Sequence, residues 1–169
     1  RGYGPRRHAI SKLSSYHLRA TEASRDRLTR MGEAPERIHV VGAPGLDGLV
    51  ELAAGERAEA LAALGLPSAQ PFILVVVHPV EHPAGLAAAR TRASLAASPP
   101  PGAPGLWPAP TADAGALGVL QALDESPLPP GSRRVAHLDR ALFAQAMRHA
   151  AVMVGNSSSG IIEAASFGT

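Results

Sequence analysis

The stretch Phe72-Ile73-Leu74-Val75-Val76-Val77, followed directly by His78-Pro79, decides how this chain folds. A strand with one wet face alternates apolar and polar residues. An unbroken apolar run of this length belongs instead to a strand buried on both faces of a parallel sheet. It is also far too short to span a membrane.

Outward from that run, β-branched segments alternate with helix-length ones. Toward the start, residues 56–64 read as a helix that Gly65 caps and Pro67 stops. Residues 38–41 read as a strand that ends in the turn-rich Gly42-Ala43-Pro44-Gly45, and residues 22–31 as a helix closed by Gly32. Residues 11–16 continue a helix that leads into a short strand around Leu18. Toward the other end, residues 85–97, 113–123 and 141–150 read as helices, 134–137 and 152–154 as short strands, and 161 onward as a helix. A further strand is expected within residues 99–110, although the six prolines there cannot donate to a ladder. Strand–helix alternation of this kind predicts an α/β fold with doubly wound parallel sheets. The stretch 65–70 is the expected boundary between two units. No internal repeat is present.

Composition narrows the function. Sixteen basic residues against fourteen acidic give a net charge of +2, too small for a nucleic-acid footprint. With no cysteine, neither a disulfide framework nor a cysteine metal site is possible. The chain begins on Arg1 and stops at Phe167-Gly168-Thr169, just inside an apolar pattern, so it is expected to be part of a longer protein; with no membrane-length apolar run and no visible signal peptide, a cytoplasmic location is expected.

The strongest motif is Val152-Met153-Val154-Gly155-Asn156-Ser157-Ser158-Ser159-Gly160-Ile161-Ile162-Glu163. A buried strand delivers the chain to Gly155 and Asn156, where small residues let the backbone approach a ligand. The amides near Ser157, Ser158 and Ser159 open a helix and lack intrahelical acceptors, so they favour an anion. Glu163, one turn on, is placed to accept from a sugar diol, as acidic residues do in other nucleotide-binding α/β folds. An ordinary N-cap needs fewer polar residues than this loop offers.

The second motif is His78-Pro79-Val80-Glu81-His82, at the carboxyl end of the deciding strand. Ligands of open α/β sheets bind beyond such ends, so His78 is placed to face a phosphate or to move a proton. The same five residues match a zinc-peptidase pattern that requires both histidines on one face of a continuous helix. Pro79 stands against it, because it leaves His78 as a non-helical flank. The third motif, Thr111-Ala112-Asp113-Ala114-Gly115, reads as a helix start with Thr111 as cap and Asp113 complementing the dipole. By position it also borders the same cleft. His149 stands near a helix end, where a cation suits the dipole.

Taken in order, Arg7-His8-Ala9-Ile10-Ser11-Lys12-Leu13-Ser14, Val41-Gly42-Ala43-Pro44-Gly45-Leu46-Asp47, His78-Pro79-Val80, Ala112-Asp113-Ala114-Gly115 and the Gly155–Gly160 loop with Glu163 resemble the UDP-N-acetylglucosamine 2-epimerases. The resemblance runs over nearly the whole chain and looks most like the hydrolysing branch, which feeds sialic acid synthesis. It implies a GT-B-like fold of two Rossmann-like doubly wound domains, of which this chain is an incomplete portion. Residues 1–50 would be the tail of the N-terminal domain, 51–68 a linker and helix, and 69–169 an incomplete nucleotide-binding domain.

The implied reaction eliminates UDP from UDP-N-acetylglucosamine to give 2-acetamidoglucal, which water converts to N-acetylmannosamine. No cofactor or metal is implied, and a homo-oligomer is implied for the full-length protein. By the same resemblance Ser157 and Ser158 would hold the diphosphate and Glu163 the ribose, and Gly155 and Asn156 would also bind UDP. His78 would face diphosphate and sugar as a catalytic group, while Thr111 and Asp113 would contact nucleotide and His137 and Leu138 would border the uracil.

Three places depart from the family pattern. Tyr3-Gly4 stands where the family has an acidic pair with a catalytic carboxylate. Pro110-Thr111 replaces Pro-Asn, and Ala116 replaces a serine. The polypeptide alone is therefore expected to be inactive. The alternatives are an epimerase for a 2,4-diacetamido UDP-sugar, a GT-B glycosyltransferase, and a non-catalytic UDP-binding remnant.

Overall fold

The structure, a computed structural model, describes residues 3–79, 84–96, 103–112 and 115–169. The chain divides into two compact units, Arg1–Asp47 and Gly48–Thr169. In the first, α1 (Tyr3–Leu13) precedes β1 (His17–Arg19), α2 (Glu22–Arg30) and β2 (Ile38–Val40). β1 and β2 pair in parallel, His17 opposite Ile38. The Thr21 hydroxyl caps α2 by accepting from the Ser24 amide at 3.2 Å. Lys12 and the buried His17 converge on Glu33 at 2.8 and 3.2 Å. The Lys12 ammonium foremost, and then His17, hold that carboxyl below its ordinary 4.5 against the opposing effect of burial.

The second unit opens with α3 (Leu49–Leu52) and α4 (Arg57–Leu64), which Gly65 ends in the left-handed conformation. Then follow β3 (Ile73–Val76), α5 (Ala84–Ala96), β4 (Gly105–Pro108), α6 (Ala116–Glu125), β5 (Arg133–Val135), α7 (Arg140–His149), β6 (Val152–Gly155) and α8 (Ser159–Ile162). Among the described residues the sheet runs β5-β4-β3-β6, all parallel. β3, the apolar run, lies inside it, and Ile73 to Val76 are all buried.

Right-handed crossovers then fix the layers. From β3 through β4 to β5 the chain steps one way, which places α5 and α6 on one face. Ile73, Val75 and Trp107 pack there with Val119 and Leu123 of α6. From β5 it returns across the sheet to β6, which places α7 on the opposite face, packed with α3 and α4. The direction of travel reverses between β3 and β6.

The proline-rich strand forms because its prolines sit where no donor is needed. In β4 the amides of Gly105 and Ala109 point toward the β5 side, donating to Ser132 Oγ and to Val135 C=O. By alternation Pro104 and Pro108 face β3, and the β3 pairing stops after Leu74 opposite Leu106, before Pro108. The two strands therefore separate at their carboxyl ends, where a crevice opens.

Several expected boundaries move. The helix expected from residue 113 begins at Ala116, with Gly115 left-handed at its N-cap, so Thr111 does not cap it. Asp113 lies outside the described residues, as do Val80, Glu81, His82 and Ala114. The strand expected to reach His137 ends at Val135, which leaves His137 and Leu138 in the following loop. The last helix is a four-residue turn continued as a 3-10 turn, Ala164–Ser166. None of the described helices is long and apolar enough to cross a membrane.

At the end of α7 the surroundings of His149 disfavour its charged form. Burial, aided by the charges of Arg148 and Arg57, pushes its imidazole below the ordinary 6.5. A base with a depressed folded pKa leaves the unfolded chain binding more protons near that value. Stability is thus expected to fall as pH drops from about 6.5 toward the depressed folded value. His149→Leu should flatten that slope in urea unfolding measured across the interval; an unchanged slope would place the titration elsewhere.

Candidate functional site

Four strand ends meet in one cleft of about 490 Å³. β3 supplies His78, the loop after β4 supplies Thr111 and Ala112, the loop after β5 supplies His137 and Leu138, and the loop after β6 supplies Ser157, Ser158 and Ser159, with Glu163 one turn further on. Residues 80 positions apart in sequence thereby share one wall of a crevice, because every strand runs the same way and delivers its loop to the same edge of the sheet.

The serine loop is built for backbone donors more than for capping. Ser158 stands at the N-cap of α8, yet its hydroxyl makes no cap hydrogen bond. Ser159 differs from expectation: its amide donates to Ser157 Oγ at 3.3 Å, and the two hydroxyls lie 2.7 Å apart. Two amides, those of Ser157 and Ser158, have no acceptor among the described residues. The shortness of α8 leaves little macrodipole, so these local N–H groups are what the loop offers an anion.

His78 is oriented from two sides. Its ring Nδ1 lies 3.4 Å from Thr111 Oγ1. Its backbone is held by Asn156, whose side-chain oxygen accepts from the His78 amide at 2.7 Å and whose side-chain nitrogen donates to the His78 carbonyl at 2.8 Å. His78 and Pro79 are not helical, so the zinc-peptidase geometry does not form at His78. Among the described residues no group of three metal-ligating side chains occurs. Glu163 is half-buried, and its carboxylate has no ion-pair partner among the described residues. The cleft's described lining carries no lysine or arginine, only two imidazoles and one carboxylate.

Of the ten residues singled out from sequence, His78, Thr111, His137, Leu138, Ser157, Ser158 and Glu163 line the cleft. Gly155 and Asn156 border a second depression, of about 390 Å³, on the other flank of the serine loop, which Ser157 and Ser158 share. Gly155 has φ +146°, and a Cβ there would run into the Val76 carbonyl of the neighbouring strand. Sequence reasoning missed Phe143, which also lines the cleft from the first turn of α7. The available signal was Asp139, which caps that helix by accepting from the Leu142 amide at 2.8 Å and so sets Phe143 one turn past the loop after β5.

Comparison with known proteins bears on this arrangement. The family model described as UDP-N-acetylglucosamine 2-epimerase matches residues 5–169. The chain is 38% identical over 161 residues to a UDP-N,N'-diacetylbacillosamine 2-epimerase (hydrolyzing) of Legionella pneumophila, covering 95% of this chain and 43% of that protein. It is 34% identical over 167 residues to a UDP-N-acetylglucosamine 2-epimerase of Neisseria meningitidis serogroup B, covering 96% and 42%. The crystal structure of the UDP-GlcNAc 2-epimerase from Neisseria meningitidis bound to UDP-GlcNAc superposes with a TM-score of 0.71 at 18% identity, over 95% of this chain and 46% of that one. That likeness is one of fold, of the GT-B type. The chain spans less than half the length of each of these relatives. With the family model matched from residue 5 to the last residue, and with parallel strands that deliver its motifs to one cleft, the chain belongs to the UDP-N-acetylglucosamine 2-epimerase family.

Proposed function

We propose that this chain is the UDP-binding side of a hydrolysing UDP-N-acetylglucosamine 2-epimerase. The observation that carries the reading is the convergence of His78, Ser157, Ser158 and Glu163 on one strand-end cleft, with two serine amides free to receive an anion. The diphosphate lies against the amides of Ser157 and Ser158 and the hydroxyl of Ser158. Glu163 accepts from the ribose hydroxyls, and the loop of His137 and Leu138 borders the uracil. His78, steadied by Thr111, donates toward the departing diphosphate.

In the reaction a proton leaves C2 as the C1–O bond to UDP breaks, which gives 2-acetamidoglucal. Water then adds its oxygen to C1 and a proton returns to C2 from the opposite face, so UDP-N-acetylglucosamine and water become N-acetylmannosamine and UDP. The carboxylates that move the C2 proton are assigned to the part of the relatives' length that this chain does not span. Residues 1–50 are assigned to the first Rossmann-like domain and 69–169 to the nucleotide-binding one. A second reading, hydrolytic epimerisation of a 2,4-diacetamido UDP-sugar, is favoured by the 38% identity to the Legionella protein against 34% to the Neisseria one.

Calorimetric titration of the full-length protein tests the site. UDP and both UDP-sugars are expected to bind, inorganic phosphate weakly, and Ser158→Ala to weaken UDP roughly tenfold through a lost hydrogen bond to a charged group. If the folded protein ignores UDP, or if neither Ser158→Ala nor Glu163→Ala alters the affinity, the assignment fails. Product analysis with each UDP-sugar then separates the two substrates.

A further inference from the structure

Parallel pairing between β3 and β6 sets Val76 opposite Gly155, so the next step of the ladder would set Val77 opposite Asn156. In a parallel ladder that step takes two bonds: the Asn156 amide to the Val76 carbonyl, and the His78 amide to the Asn156 backbone carbonyl. The first is present at 3.2 Å. The second is replaced, because the His78 amide donates to the Asn156 side-chain oxygen at 2.7 Å. The other end of that side-chain amide donates to the His78 carbonyl at 2.8 Å. A carboxamide has the donor and acceptor of a peptide group, so the side chain stands in for a strand residue while the main chain turns away into the serine loop.

We propose that Asn156 is a positioning residue, a side-chain mimic of backbone that extends the β3–β6 pairing one step past the strand ends and fixes His78 against the Ser157–Ser158 amides. It rests on the nucleotide reading of the cleft, but it gives Asn156 a different task from the UDP contact expected of it from the sequence. Both polar ends of its side chain are already engaged by His78, and the residue borders the depression on the far flank of the loop. The chemistry demands both a donor and an acceptor at one length. Alanine supplies neither, and aspartate supplies only the acceptor and sets a carboxylate oxygen against the His78 carbonyl.

The test uses the full-length protein and four readouts: thermal melting, hydrogen–deuterium exchange of the segment ending at Pro79, the carbonyl resonance of labelled His78, and UDP titration. In Asn156→Ala without ligand, the His78 amide should lose its protection, and UDP affinity should fall roughly tenfold, because a site whose supporting contacts loosen loses preorganisation. Asn156→Asp should keep the amide protected while shifting the carbonyl resonance of labelled His78, and it serves if the alanine variant melts too low to assay. Weakened UDP binding with a ligand-free His78 amide as protected as in the parent would make Asn156 a direct ligand contact and overturn the proposal. So would lost protection with UDP affinity intact. If the parent protein itself fails to bind UDP, the nucleotide reading falls. The latch is then decided by exchange alone, upheld by lost protection in Asn156→Ala and overturned by its retention.

Discussion

Gly155→Ala is expected to destabilise the second unit by about 2–6 kcal/mol, the sum of a forced backbone and an overpacked contact. The backbone part arises because φ at this position is +146°, a value L side chains rarely adopt. The contact part arises because the added methyl has nowhere to go: the atom in its way is the Val76 carbonyl, part of the neighbouring strand's backbone, not the end of a flexible side chain. Gly48→Ala isolates the two. Gly48 is also left-handed, at φ +67°, but a Cβ there meets nothing within 4 Å, so only the backbone cost of about 1–2 kcal/mol applies. Urea unfolding of both variants gives the difference. Equal costs would mean that β3 and β6 do not approach as closely as the structure has them. Since the pairing of those strands is what places His78 beside the serine loop, the same variant should lose UDP binding under conditions where Gly48→Ala keeps it.

How much of this could be read from the sequence depends on whether the cause is local. The apolar run at Phe72–Val77 announces a buried parallel strand because burial on both faces leaves no room for polar residues, and β3 is such a strand. Gly65 and Pro67 end α4 where they stand, since helix termination is decided within a turn. The residues that share the cleft were legible for a related reason: in a parallel sheet, a residue just past a strand's end lies at the same edge whichever strand it follows.

What sequence concealed was set by partners distant in the chain. Thr111 reads as a cap until Gly115 is seen to open the helix and the threonine hydroxyl is found beside His78. The prolines around Trp107 read as a defect until the register shows that β3 stops pairing before Pro108. Asn156 reads as a ligand contact in a small-residue loop, and nothing nearby in sequence tells that its carboxamide is spent on a residue 78 positions earlier. His149 reads as a place where a cation suits a helix end, whereas burial there pushes its imidazole below the ordinary value.

If Glu163 holds the ribose, the ligand can be altered as informatively as the protein. A carboxylate that accepts from a ribose hydroxyl contributes about 1.5–3 kcal/mol per bond, so 2′-deoxy-UDP is expected to bind the parent protein roughly 10–100-fold more weakly than UDP. Glu163→Ala should weaken UDP by a similar factor and should then bind UDP and 2′-deoxy-UDP alike, because the removed hydroxyl no longer has a partner to lose. That coupling is specific in a way a single substitution is not. General damage to the cleft would weaken both nucleotides and preserve their ratio, whereas a ribose contact abolishes it. The structure gives reason to expect the cycle to be clean. Glu163 makes no ion pair among the described residues, so its truncation strands no buried cation, and its half-buried position leaves the alanine variant little to repack. A parent protein that binds 2′-deoxy-UDP as tightly as UDP would remove the 2′ hydroxyl from the contact, and 3′-deoxy-UDP would then test the neighbouring one. Indifference to both would detach Glu163 from the ribose while leaving the diphosphate reading to stand or fall with the serine amides.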